Sequence, residues 1–183
     1  MNRGFTLLEL LLVTFLFGLI LIALFDMFFG YKKIFDIEQS FVRATGGARD
    51  VVAAVSKTAR DADQVVSSHT FSGTPYTSGT TTAVFELPSI NSSGDTIAST
   101  YDYVAIYASG TDAYQLTEVG VGSSRSAGTR HLTDVLQSMT FTYNSNSFAN
   151  VKQVTVDVTA SSTARQQTAQ QHLREQIYLR NAP

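Results

Sequence analysis

Apolar residues crowd the start of the chain and thin out after it. From Phe5 to Phe25, 17 of 21 residues are apolar and Glu9 is the only charge. At about 1.5 Å per residue such a helix covers about 30 Å, the thickness of a bilayer's hydrocarbon core. The run closes on Leu24-Phe25-Asp26-Met27-Phe28-Phe29, whose bulky side chains offer no small-x-small site for a signal peptidase. The pattern therefore predicts a retained membrane helix over 5–30.

The period then changes. Ile34, Phe41, Ala48, Val55 and Ala62 recur at sevens, and Ile37, Ala44 and Val51 follow the first three of them by three residues. Asp36, Arg43, Asp50 and Lys57 recur at sevens too, two residues behind the apolar series and about 200° round the helix. An amphipathic helix over 31–66 follows, continuous with the membrane helix and about 90 Å long in all. Gly46-Gly47 costs it about 2 kcal/mol relative to alanines, a soft spot rather than a break. Its apolar face is expected to be the spine of the domain that follows.

Beyond residue 66 the pattern shortens to strands. Thr82–Leu87, Tyr101–Ala108, Ala113–Val119, Val135–Tyr143 and Val151–Thr159 are β-like, and Val154-Thr155-Val156-Asp157-Val158 alternates as a half-buried antiparallel strand does. Ser109-Gly110-Thr111-Asp112 has hairpin chemistry. Residues 67–80 and 120–130 are rich in Ser, Thr and Gly and are expected to be loops, and the polar, Gln-rich 161–171 a loop or a disordered excursion, before a last apolar strand, Ile177-Tyr178-Leu179. The fold class expected is α+β: a long amino-terminal helix packed on an antiparallel sheet over 67–183.

Composition sharpens this division. The chain of 183 residues is 44% hydrophobic and only 15% charged, yet holds 41 Ser and Thr. A greasy segment and a polar head are averaged together. A net charge of −2 and no basic run longer than Lys32-Lys33 argue against direct nucleic acid binding. The absence of Cys removes disulfides, thiol nucleophiles and Cys-held metals. His69, His131 and His172 share no ligand spacing and are expected to be exposed polar residues, and Asp95, Asp102 and Asp112 are too scattered to suggest calcium. No Gly-x-Ser-x-Gly elbow singles out one of 19 serines. Asn91-Ser92-Ser93 is a glycosylation sequon, and six acidic against two basic residues over 67–140 suggest a mildly acidic face. No catalytic residue, cofactor or metal is expected.

Glu9 is the exception within the apolar run, because a carboxylate there costs several kcal/mol at mid-membrane and calls for a partner. It belongs to Gly4-Phe5-Thr6-Leu7-Leu8-Glu9-Leu10, which resembles the cleavage and methylation motif of type IV pilins and type II secretion pseudopilins. The resemblance implies a leader over 1–4, cleavage between Gly4 and Phe5 by a prepilin peptidase, N-methylation of Phe5, and Glu9 as fifth residue of the mature chain. Leu10, Gly18 and Phe25 would lie in the membrane helix, Gly18 matching a glycine common in such helices. It also implies a cytoplasmic amino terminus, an exported head, an inner-membrane assembly platform and other pilin or pseudopilin subunits as partners.

The spacing of Glu9 has its own logic. It stands four residues, one helical turn, from the amine that cleavage at Phe5 would create. In a filament away from water the carboxylate could meet a neighbour's ammonium and so fix the register between subunits. Asp26 replaces the proline that major pilins usually carry at the end of the membrane stretch, and the ending Leu179-Arg180-Asn181 is similar to J-type minor pseudopilins and W-type minor pilins. A minor subunit, at the tip or in assembly initiation, is the expectation. A major pilin of unusual lineage, and a receptor or enzyme held by an uncleaved signal anchor, are its alternatives.

Overall fold

The structure, a computed structural model, describes residues 6–179. One helix, α1, runs unbroken through Leu7–Asp61, 55 residues or about 80 Å. Ten strands follow: β1 (Gln64–Val66), β2 (Ser68–Phe71), β3 (Thr74–Thr77), β4 (Thr82–Ile90), β5 (Thr96–Ser109), β6 (Asp112–Glu118), β7 (Gly128–Thr133), β8 (Leu136–Tyr143), β9 (Gln153–Ala164) and β10 (Gln167–Tyr178). All pairings are antiparallel, in a five-stranded sheet ordered β1-β4-β5-β6-β7, a three-stranded sheet β10-β9-β8 and a hairpin β2-β3. The fold is α+β, with the long helix packed on antiparallel sheet.

The helix stops five residues short of Val66. The backbone turns extended at Ala62, Asp63 N–H donates to the Glu86 carbonyl at 2.9 Å, and β1 joins the edge of the five-stranded sheet. Val65 thereby enters the core as a strand residue, a tertiary pairing that outweighs the helical period.

The heptad stripe is buried only in its second half. Ala44, Ala48, Val51 and Val55 are fully buried, while Ile34 and Phe41 are more than half exposed. Seven residues turn an α-helix about 20° short of two full turns, so a strict seven-residue series drifts round a straight helix. That drift is only about 20° by Phe41 and 40° by Ile34, angles at which Ala59 and Val52 are still buried, so the two are exposed because they lie towards the free end of the helix, where the head no longer covers it. That covered face is built of small residues, among them Ala44, Gly47, Ala48, Ala54 and Ala59, which lets the sheets approach closely.

The core lies between this face and the inner faces of both sheets, where Phe85, Leu87, Val104 and Ile106 meet Met139, Phe141, Val154, Val156, Val158 and Ile177. A second, smaller cluster occupies the outer face of the five-stranded sheet. There β2 and β3 lay Phe71 and Tyr76 over Val84, Ala105, Tyr103 and Tyr107. Residues 67–80, expected as a loop, thus form a hairpin whose few apolar side chains cover a sheet with two apolar faces.

Two further loops prove partly or wholly to be strands. The stretch 120–130 gives its last residues to β7. The stretch 161–171 is the tip of the β9–β10 hairpin, paired without interruption from Gln153↔Tyr178 to Ala164↔Gln167. Its turn, Arg165-Gln166, holds both residues at positive φ, +48° and +67°, a conformation that hairpins usually give to Asn and Gly. A 2.7 Å ion pair from Arg165 Nε to Asp36 of the helix offsets that strain. The Ser109↔Asp112 turn forms where Ser109-Gly110-Thr111-Asp112 predicts it.

Gly46 and Gly47 differ in kind. A Cβ on Gly47 would stand 2.3 Å from Thr133 Oγ1 and 2.7 Å from Val135 Cγ2, whereas one on Gly46 meets nothing within 4 Å. Gly46→Ala should raise stability by about 1 kcal/mol through helix propensity. Gly47→Ala should lower it by about 1–2 kcal/mol, overpacking exceeding the propensity gain. Denaturant unfolding of both variants measures the difference in sign.

Candidate functional site: the exposed helix half and its carboxylate

Among the described residues, the amino-terminal half of α1 is exposed along its length and packs against no other element. Every large apolar side chain described from Leu7 to Phe29 is exposed, Leu10 at 61% and Phe25 at 59%. Apolar residues occupy all sides of the helix, so no face is left for water; a helix greasy all round belongs in lipid or among other helices. By length and composition it can cross a membrane. Gly18 has open space around its Cα and forms a notch in this surface.

The lone carboxylate lies at the helix start, in a capping box. Thr6 Oγ1 accepts a hydrogen bond from Glu9 N–H at 3.3 Å, and Glu9 Oε2 accepts from Thr6 N–H at 2.9 Å and from the Thr6 hydroxyl at 3.1 Å. Thr6 therefore supplies Glu9 with local partners, a role that the Thr-x-x-Glu spacing could have signalled and that the reading of Glu9 alone missed. Gly4 and Phe5, the expected processing positions, lie outside the described residues, as do Arg180 and Asn181 of the carboxyl-terminal signature.

In the head the structure gathers charged groups that looked scattered. Asp102 is wholly buried. Its Oδ1 accepts from the Ser89 hydroxyl at 2.7 Å and from Gly120 N–H at 2.8 Å, and its Oδ2 from the Ser123 hydroxyl at 2.8 Å and Arg125 Nη1 at 2.7 Å. Arg125 Nη1 also donates to the Pro88 carbonyl at 2.6 Å. Burial raises the Asp102 carboxyl, but Arg125 first and then the three other donors outweigh it and hold the group below the ordinary carboxylate range. This charge fastens the loop after β6 against β4 and β5, and Gly120 is required there because a Cβ would fall 2.5 Å from Thr100 Cγ2 and 2.7 Å from Ser89 Oγ.

The acidic face expected over 67–140 is largely consumed within the chain. Besides Asp102, Glu86 accepts from Gln64 and Tyr103, Asp112 lies 2.7 Å from His131, Glu118 lies 3.6 Å from His69, and Asp134 pairs with Arg43. The Arg43 guanidinium holds the Asp134 carboxyl below its usual range. Arg43 and Asp36, of the charged series round the helix from the apolar one, clamp the head, and Arg60 joins them through Glu175 at 3.4 Å.

The histidines divide. His131 and His172 are exposed, each against one aspartate, with His172 Nε2 at 2.6 Å from Asp157 Oδ1. His69 is not a free surface residue: its ring stacks on Tyr103 at a centroid distance of 3.7 Å and meets Phe71 edge-on. It belongs to a ladder that continues through Tyr76, Tyr107 and Tyr114. Burial, then the hydrogen bond to Glu86, pushes the Tyr103 hydroxyl up to about 12, so it remains a donor. Among the described residues no three His, Asp or Glu side chains converge as a metal site. Asn91 of the sequon accepts from Ser93 and Asp95 N–H at 2.9 Å and forms the β4–β5 turn.

Asp102→Asn should cost about 3 kcal/mol, since it leaves Arg125 charged beside a neutral amide. Because folding lowers the Asp102 pKa, its contribution is present above the unfolded carboxylate value of about 4 and is lost as pH falls through the lower folded value. Acid titration of thermal stability should therefore be shallower in the variant than in the parent. Comparison of the chain with protein-family models, curated proteins and solved structures returns no match.

Proposed function

We propose that the chain is a structural, non-enzymatic subunit of a type IV pilus or type II secretion pseudopilus, and a minor one that acts at the tip or in assembly initiation. The observation that carries this reading is a helix shared by two environments. Its second half is the spine of the head, and its first half offers an all-round apolar surface with one carboxylate at its start. A plain anchor would serve with any apolar sequence and has no use for Glu9. A subunit that moves from lipid into a helical bundle does.

In this reading the prepilin is held in the inner membrane with its amino terminus in the cytoplasm and its head exported. Cleavage after Gly4 leaves a Phe5 ammonium, and its methylation keeps the charge. In the membrane Thr6 and the subunit's own terminus satisfy Glu9. In the filament a neighbour's Phe5 ammonium replaces them, and the low dielectric between packed helices makes a wrong register costly. Asp26 in place of proline and the Leu179-Arg180-Asn181 ending favour a minor position.

Intact-mass measurement of the protein expressed with and without prepilin peptidase tests the reading. Loss of Met1–Gly4 with gain of one methyl group is expected, and an uncut chain would overturn it. Glu9→Ala should be cleaved normally yet fall out of sheared filaments, by about tenfold if the lost pair is worth about 1.4 kcal/mol. Parental incorporation of that variant would remove the register role.

A further inference from the structure

The Arg165–Asp36 ion pair ties the β9–β10 turn to the helix, nearer its free half than the ion pairs of Arg43 and Arg60. Asp36 stands seven residues, or about 10 Å along the axis, beyond Phe29, where the near-continuous apolar run closes, with Tyr31, Ile34 and Phe35 exposed between them. Lys32 and Lys33 lie one turn nearer the membrane, about 40° and 60° to either side of Asp36, so all three share a face. Both lysines are exposed and without an ion pair among the described residues. Glu38 sits about 200° away from Asp36, and Asp26 about 80° from it but about 15 Å nearer the helix start, inside the apolar run. The headgroup layer is about 5–8 Å deep, so when Leu7–Phe29 spans a bilayer the lysines fall within it and the turn meets its outer limit.

From this placement we infer that the β9–β10 turn is a foot resting on the membrane surface, and that Lys32 and Lys33 bind the phosphates of anionic phospholipids beneath it. Arg165 neutralises Asp36, the acid of that face that stands beside the turn and would otherwise repel the headgroups. It also sets the height of the turn, because both turn residues are fixed in the left-handed region and present Arg165 and Gln166 without slack. The contact holds the head upright over anionic lipid. This inference rests on the membrane-spanning part of the function proposed above, and not on cleavage or assembly.

The chain has no cysteine, so one introduced thiol takes one label. Gln166→Cys and, as a distant reference, Val121→Cys, 92% exposed on the loop after β6, carry a fluorophore in the full-length chain. The chain is reconstituted in vesicles of phosphatidylcholine alone or mixed equally with phosphatidylglycerol, with a headgroup-attached nitroxide as quencher. Quenching at 166 should exceed that at 121 by about threefold in the anionic vesicles, and Lys32→Glu with Lys33→Glu should reduce it towards the reference. Equal quenching at the two positions, or no response to the lysine reversal, would overturn the foot. Thr163→Cys repeats the comparison in case the turn does not accept Cys. Co-flotation of the protein with the vesicles reports separately on whether the helix is in the membrane at all.

Discussion

One unbroken helix has to satisfy two solvents. Its first half exposes apolar side chains on every side, and its second half buries a narrow strip of small residues beneath two sheets. The remainder of the head follows from that second half. Alanines and Gly47 bring the sheets close, and the ion pairs of Asp36, Arg43 and Arg60 hold the flanks where no apolar contact is available. With no cysteine, the head depends on these contacts and on the Asp102 cluster to fix its loops.

The elements legible in the sequence were those whose pattern matched their surroundings. The apolar run, the strands β4, β5, β6, β8 and β9 and the Ser109–Asp112 hairpin each stood where periodicity and turn chemistry placed them. The misses share a physical cause. The strands at 68–77 and the arm of the β9–β10 hairpin carry polar residues on both faces or only a few apolar ones, so they look like loops. The β9–β10 turn lacks Asn-Gly, and its ion pair to Asp36 spans 129 positions of sequence, which no local pattern reveals. β1 was hidden because Val65 continues the count at sevens from Ile37, Ala44 and Val51, and only a distant strand edge converts it and its neighbours.

Charged residues were the least legible. Asp102 appeared as one of three scattered aspartates, and its donors come from residues 89, 120, 123 and 125. Glu9 stood out because it was alone among apolar residues, yet its nearest partner, Thr6, was legible from a three-residue spacing. A buried charge announces its cost in sequence only when its neighbours are uniformly greasy. Within a Ser/Thr-rich head, the same cost is concealed among many polar side chains that could meet it.

The helix passes from its free half into the head without a hinge. Asp26 stands in the exposed half without breaking it, and at the Gly46-Gly47 pair Thr133 and Val135 press against the second glycine. Such a rod has no joint at which twist can be absorbed. A rotation of the free half about its long axis must turn the head by the same angle, so the side of the head that faces outward is decided by how the other end is seated, about 80 Å away.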